Sequence, residues 1–177
     1  MSLNNQSNIS NFTLDIPPSF GLGMTLMNIQ SASIPGMRIP PTELPLAQFG
    51  VGRQTGPGST TEFDPLIVRV LCDEDYEAYL EIYRWMISLN DYARQTPTMW
   101  GKTGQPPAVT LHVLNNSKRD IVASFNYYGA WPSELGEIEY STTEEGDVSV
   151  TFTVTFHYKY FEIEKDGKTV RPIQRGE

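Results

Sequence analysis

The sequence predicts an α+β protein that is mainly β, with two packed antiparallel sheets and one flanking helix. Three observations carry this. From Val148 the even positions read Val148, Val150, Phe152, Val154, Phe156, Tyr158 and Tyr160, against Ser149, Thr151, Thr153, Thr155, His157 and Lys159 between them. A period of two marks a strand with one buried face. Two more stretches alternate in the same way around turn residues, and a single stretch repeats at helical spacing.

In chain order, residues 1–62 hold more than half of the 13 prolines and half of the 14 glycines. Proline disfavours helix in the residue before it, and glycine supplies turns, so "DIPPSFG", "SIPGMRIPPTELP" and "GVGRQTGPGS" read as extended or turning segments. Only "GMTLMNIQSAS" (23–33) can form a strand there. The stretch is too rich in Ile, Leu, Met and Phe for a flexible linker, so it is expected to be an ordered arm lying on another surface.

Residues 63–163 are expected to form the β domain. "EFDPLIVRVLCD" places Leu66, Val68, Val70 and Cys72 on one face, a half-buried strand. It runs into Asp73-Glu74-Asp75, which supply a cap and favourable charge for a helix over about 74–89. Tyr76, Tyr79, Leu80, Tyr83, Met86 and Ile87 are its expected buried face. "AVTLHVLNNSKRDIVASFNYY" then reads as a hairpin turning at Asn115–Lys118. A second hairpin is expected around Glu144–Asp147, returning as one strand of at least 13 residues, about 43 Å long. Residues 164–177 form a polar extension with a "DGK" turn.

The totals exclude several classes. A formal charge of −8 argues against gripping nucleic acid through its phosphates. One cysteine, Cys72, allows no intrachain disulfide. The chain shows no charged apolar leader and no run approaching the ~20 apolar residues of a membrane span, so a soluble protein without a membrane anchor is expected.

No pattern signals chemistry, and no catalytic, cofactor-binding or metal-ligating residues are expected. The two histidines, His112 and His157, sit in predicted strands without an acid or nucleophile at a suggestive spacing. Cys72 lacks the paired ligands of a zinc site. The acid clusters 73–75 and 144–147 lack calcium-loop spacing and read as a helix cap and a hairpin tip. "GVGRQTG" has the wrong spacing for a dinucleotide loop. Trp85 and Trp131 fit a core better than a sugar platform, although exposed aromatics on a sandwich leave a carbohydrate-binding module as a rival reading.

One phrase is more specific. Tyr128, Gly129, Trp131, Pro132, Leu135, Gly136, Glu137 and Ile138 precede the alternating strand and its closing aromatics, Phe152 to Phe161. Together with the strand, acidic turn and helix of 63–86, this resembles the tail tube proteins of contractile-tailed bacteriophages over about Thr61–Ile163. Trp131, Pro132, Gly136 and Glu137 carry most of the resemblance. It implies a structural subunit of a virion tail, assembled in the host bacterial cytoplasm. Hexameric rings would stack into a tube that DNA traverses without specific binding. Sheath and baseplate or neck proteins would be its neighbours. The ring could be the repeated tube, a baseplate initiator or a head-proximal terminator. Under this resemblance Ser149, Thr151, Thr153 and Thr155 are candidate lumen-facing residues. Phe12, Ile16, Phe20, Met24 and Met27 are candidate anchors of the arm on a neighbouring subunit.

Overall fold

Phe152, Val154 and Phe156 are buried at 1% exposure or less, and the threonines between them face the other way. That alternation fixes the central strand, and the fold is built around it. The computed structural model describes residues 6–16, 29–45, 52–95, 108–142 and 149–172. Its strands are β1 (Phe12–Asp15), β2 (Ile29–Ala32), β3 (Met37–Arg38), β4 (Pro41–Pro45), β5 (Arg53–Pro57), β6 (Glu62–Phe63) and β7 (Leu66–Leu71). The helix α1 (Glu77–Leu89) follows, then β8 (Ala108–Leu114), β9 (Ile121–Tyr128), β10 (Trp131–Leu135), β11 (Thr151–His157), β12 (Tyr160–Lys165) and β13 (Lys168–Thr169).

Two antiparallel sheets face each other as expected. One is four-stranded, β10-β11-β7-β2, and the other five-stranded, β1-β8-β9-β12-β13. In the first, Val154 lies between Val68 of β7 and Leu135 of β10. In the second, Leu111 lies between Leu14 of β1 and Phe125 of β9. Leu66, Val68, Val70, Val109, Leu111 and Tyr127 close the core from the two sides, each at 1% exposure or less. The hairpin of β8 and β9 forms where the pattern puts it. Its turn is organised by Asn115, whose side-chain oxygen accepts from the Ser117 hydroxyl and the Arg119 amide while its amide donates to Asp120.

The expected single long strand is two strands on two sheets. β11 ends at His157, the chain bends through Tyr158-Lys159, and β12 joins the five-stranded sheet beside β9. The parity of the core-packed residues changes there: even Phe152, Val154 and Phe156 along β11, odd Phe161 in β12. A straight strand would carry Tyr160 inward, whereas Tyr160 is 47% exposed. Crossing sheets is the route by which one chain segment buries both sets. The Lys159 amide holds the corner by donating to the Tyr128 carbonyl at 2.9 Å.

Trp131-Pro132 does not form the corner before this strand. Both residues belong to β10, and the corner feeding that strand is Gly129-Ala130, with Gly129 at φ +62°. Glycine takes this left-handed conformation without a steric penalty. Proline is tolerated because β10 is a sheet edge. The expected hairpin tip at 144–147 lies outside the described residues.

The helix starts later than expected, at Glu77. Asp73 still caps it, accepting from the Glu77 and Ala78 amides at 3.0 and 3.3 Å. Its buried face is corrected: Ala78, Ile82, Trp85 and Leu89 enter the core, while Leu80 and Tyr83 stay exposed. Trp85 packs against Phe156 and Tyr79 against Phe152, with ring centroids 5.8 and 5.3 Å apart. Both stripes are apolar at helical spacing; Tyr79 and Met86 of the expected face pack partly against the core between them.

The described residues among the first 62 are not one separate arm. β1 and β2 are edge strands of the two sheets. What leaves the body is the segment between β2 and β7. There β3 pairs with β6, and β4 with β5, as two separate two-stranded ladders. Exposed pairs Arg38–Glu62 at 2.6 Å and Arg53–Glu43 at 2.7 Å bridge their strands. Such exposed pairs contribute little stability. In the C-terminal extension, Asp166-Gly167 makes the expected turn between β12 and β13.

Candidate functional site

The side of the four-stranded sheet away from the core is hydroxyl-lined. Thr151, Thr153 and Thr155 of β11 lie there, half-buried, with Ser149 exposed just before the strand. Cross-strand pairing sets Thr153 beside Arg69 of β7, which in turn pairs with Ser31 of β2. The Ser133 hydroxyl donates to the Thr155 carbonyl at 3.1 Å, at the bulge in β10. Toward the Leu135 end this face deepens into a groove of about 830 Å³. Arg69, Glu134, Glu137, Glu139, Tyr140 and Thr153 contribute to its lining. Three carboxylates against one guanidinium give the groove an acidic character.

Three residues of the Trp-Pro-Gly-Glu phrase make contacts that hold β10 and its continuation on β11. Trp131 stacks on His157 with ring centroids 5.7 Å apart, across the β10–β11 pair. Pro132 is buried opposite Phe156. Gly136 crosses the β11 backbone: its amide donates to the Thr153 carbonyl at 2.7 Å, and a Cβ would sit 2.9 Å from that same oxygen. No larger residue fits without moving main chain. Glu137 is exposed at the groove.

Among the described residues the sheet has two free edges, β10 and β2. Each carries a bulge, at Pro132/Glu134 and at Ile29/Ser31. Unpaired edges template further pairing, and bulges are a common way to restrict it. These edges were missed by the sequence reading. Pro132 inside a strand was the one signal pointing to an edge.

The candidate arm anchors divide. Ile16 is 7% exposed, and Phe12 packs against the same core, so both serve this chain's own five-stranded sheet. Phe12 lies opposite Val113 of β8. Phe20, Met24 and Met27 lie outside the described residues.

Titratable groups form no reactive constellation. His112 Nδ1 and the Ser124 hydroxyl are 2.8 Å apart on the outer face of the five-stranded sheet. Burial, with Asp73 adding to it, pushes the Cys72 thiol up, away from the reactive thiolate. Among the described residues no three His, Cys, Asp or Glu side chains come together as metal ligands, and no helix is long and apolar enough to cross a membrane. The strongest shifts are tyrosines. Burial and the nearby Asp64 push Tyr158 up to about 12, and burial raises Tyr127 further.

Comparison with known proteins decides what these surfaces belong to. The family model of the phage tail tube protein matches residues 10–164. The chain belongs to the phage tail tube protein family. The match starts within the N-terminal region, so β1 and β2 are part of the tail tube unit and not additions to it. A curated relative, the tail tube terminator protein of Enterobacteria phage T4, is 43% identical over 169 residues, covering 96% of this chain and 95% of the relative. Among solved structures, the sheath/tube terminator of the extracellular contractile injection system PVC has a TM-score of 0.68. It is 12% identical and covers 92% of this chain and 99% of that one. The tube-terminating cap of the anti-feeding prophage has a TM-score of 0.65 at 12% identity, covering 93% and 95%. At that identity these structures share the fold. As a tail tube family member, the chain has a structural, tube-related role in a phage tail.

Proposed function

We propose that this chain forms the ring that terminates the head-proximal end of a contractile-tail tube, and not the repeated tube ring. The observation that carries the reading is end-to-end identity of 43% with a tail tube terminator, over 96% of one chain and 95% of the other.

In this reading six copies close a ring. β10 of each copy pairs with β2 of the next, so the four-stranded sheets join into one barrel wall and their edges disappear. Thr151, Thr153 and Thr155, with Ser149 at the rim, face the lumen and present a wettable, hydroxyl-rich wall with Arg69 and Glu134 beside it. The net charge of −8 keeps DNA from adhering as it passes. The helix, on the core side of that sheet, faces outward toward sheath and neck proteins. The β3–β6 and β4–β5 hairpin reaches onto the tube ring below. An isolated two-stranded hairpin is marginal in water, so it gains its stability by docking. Assembly takes place in the host cytoplasm.

Copy number tests this. Quantitative mass spectrometry of purified particles is expected to give one ring's worth of chains per tail, and antibody labelling to mark one tube end. Labelling along the whole tube, with copies in proportion to its length, would return the chain to the repeated subunit.

A further inference from the structure

The helix carries two apolar stripes, and the core uses one. Tyr76, Leu80, Tyr83 and Ile87 recur at helical spacing on the side away from Ile82 and Trp85, where Leu80 is 38% and Tyr83 36% exposed. Tyr92 and Tyr140 extend this stripe, their hydroxyls paired with those of Tyr83 and Tyr76 respectively. Exposed tyrosines clustered around aliphatic side chains are the composition of an interface centre. A second apolar cluster lies just after β2: Ile34, Met37 and Ile39 are 50%, 61% and 53% exposed.

The topology relates the two clusters. α1 packs along β10, one free edge of the four-stranded sheet. The segment 33–39 leaves from β2, the other free edge. β10 is antiparallel to β11, β11 to β7, and β7 to β2. A neighbour's β2 in the same orientation therefore adds to β10 antiparallel, and its chain runs on past Ala32 toward Trp131. Trp131 is opposite His157, next to the Phe156 on which Trp85 packs, so this is the C-terminal half of the helix. The chain that continues from that β2 is Ile34 to Ile39.

We infer that the exposed helix stripe docks a second copy of this chain: the segment Ile34–Ile39 of one subunit covers Tyr83, Ile87 and Tyr92 of the next. The contact is head-to-tail, since the two patches differ, and such contacts close rings. It rests on the edge-to-edge ring proposed above. It adds a second seam outside the strand pairing, made from side chains that the described residues leave partly exposed.

Paired cysteines in a Cys72→Ser background test it, using the full chain under mild oxidation and non-reducing gels. Ser31→Cys with Glu134→Cys reports the strand seam. The two edges are separated by two strands, about 14 Å within one chain, so a link between them is intermolecular. Met37→Cys with Tyr83→Cys reports the helix seam. Both pairs are expected to give ladders of linked chains. A ladder from the strand pair alone would overturn the helix seam while the ring stands, leaving the stripe to a different protein. Ladders from neither would remove the ring and this inference together. Independently, Tyr83→Asp is expected to lower the ring fraction in native mass spectrometry at least tenfold without shifting the monomer's thermal midpoint, while Tyr83→Phe retains it. Unchanged rings in Tyr83→Asp would also overturn the inference.

Discussion

The Tyr158 hydroxyl donates to the Asp64 carbonyl oxygen at 2.7 Å. Tyr158 sits at the corner where the chain leaves the four-stranded sheet for the five-stranded one, and Asp64 closes the root of the hairpin. The Asp64 amide in turn donates to Gly36 at 3.0 Å. One phenol thus ties the sheet-crossing corner to the base of the projecting segment. Replacing it, Tyr158→Phe, is expected to cost about 1 kcal/mol in urea unfolding and to speed amide exchange around Gly36 and Asp64 more than in the core.

Alkali is expected to destabilise the fold through two tyrosines. Tyr158 is pushed up to about 12, chiefly by burial and then by Asp64, and burial raises Tyr127 as well. The folded state therefore holds these protons more tightly than the unfolded chain, whose tyrosines titrate near 10. Their contribution is complete below pH 10; that of Tyr158 is lost as pH rises through about 12, and that of Tyr127 at still higher pH. Urea midpoints measured from pH 9 to 12 should fall, and Tyr158→Phe should flatten that fall.

Tyr127 has no exposed surface, and its hydroxyl has no hydrogen-bond partner among the described residues. A buried unsatisfied hydroxyl costs about 1–3 kcal/mol. Tyr127→Phe is expected to leave stability at neutral pH unchanged or raise it by about 1 kcal/mol, read from denaturation midpoints. A loss above 1 kcal/mol would mean the hydroxyl is satisfied.

Gly136→Ala is expected to destabilise by about 1–3 kcal/mol, because its Cβ would press on the Thr153 backbone 2.9 Å away. Differential scanning calorimetry reads this directly. Alanine at the exposed Ser149 is expected to leave the midpoint unchanged.

The two faces of β11 should respond oppositely. Phe156→Ala removes a side chain with 1% exposure and is expected to cost about 3–5 kcal/mol. Thr151, Thr153 and Thr155 replaced together by Leu should leave the monomer folded by circular dichroism, since that face carries none of the core.

Local pattern made much of this legible, and its limits have physical causes. The β8–β9 hairpin, the helix and its Asp73 cap depend on residues near each other in sequence, and they stand where the pattern puts them. The helix face was misread because both stripes have the right spacing, and only tertiary packing chooses between them. The corner at Tyr158 was readable in principle, from the change of parity between Phe156 and Phe161. The placement of β1 against β8 was not. Phe12 meets Val113 across most of the intervening chain, and no local composition reports such a pairing. Likewise, the free edges that make up the candidate site become visible only once strand order is known.

The chain passes between its two sheets at Gly129-Ala130 and again at Tyr158-Lys159. These crossings act as covalent stitches. When a tube is bent or loaded, a pull on the edges of one sheet reaches the other through main-chain bonds and not through side-chain contact alone. Layers sewn together in this way resist peeling, because separating them requires the corners themselves to unravel.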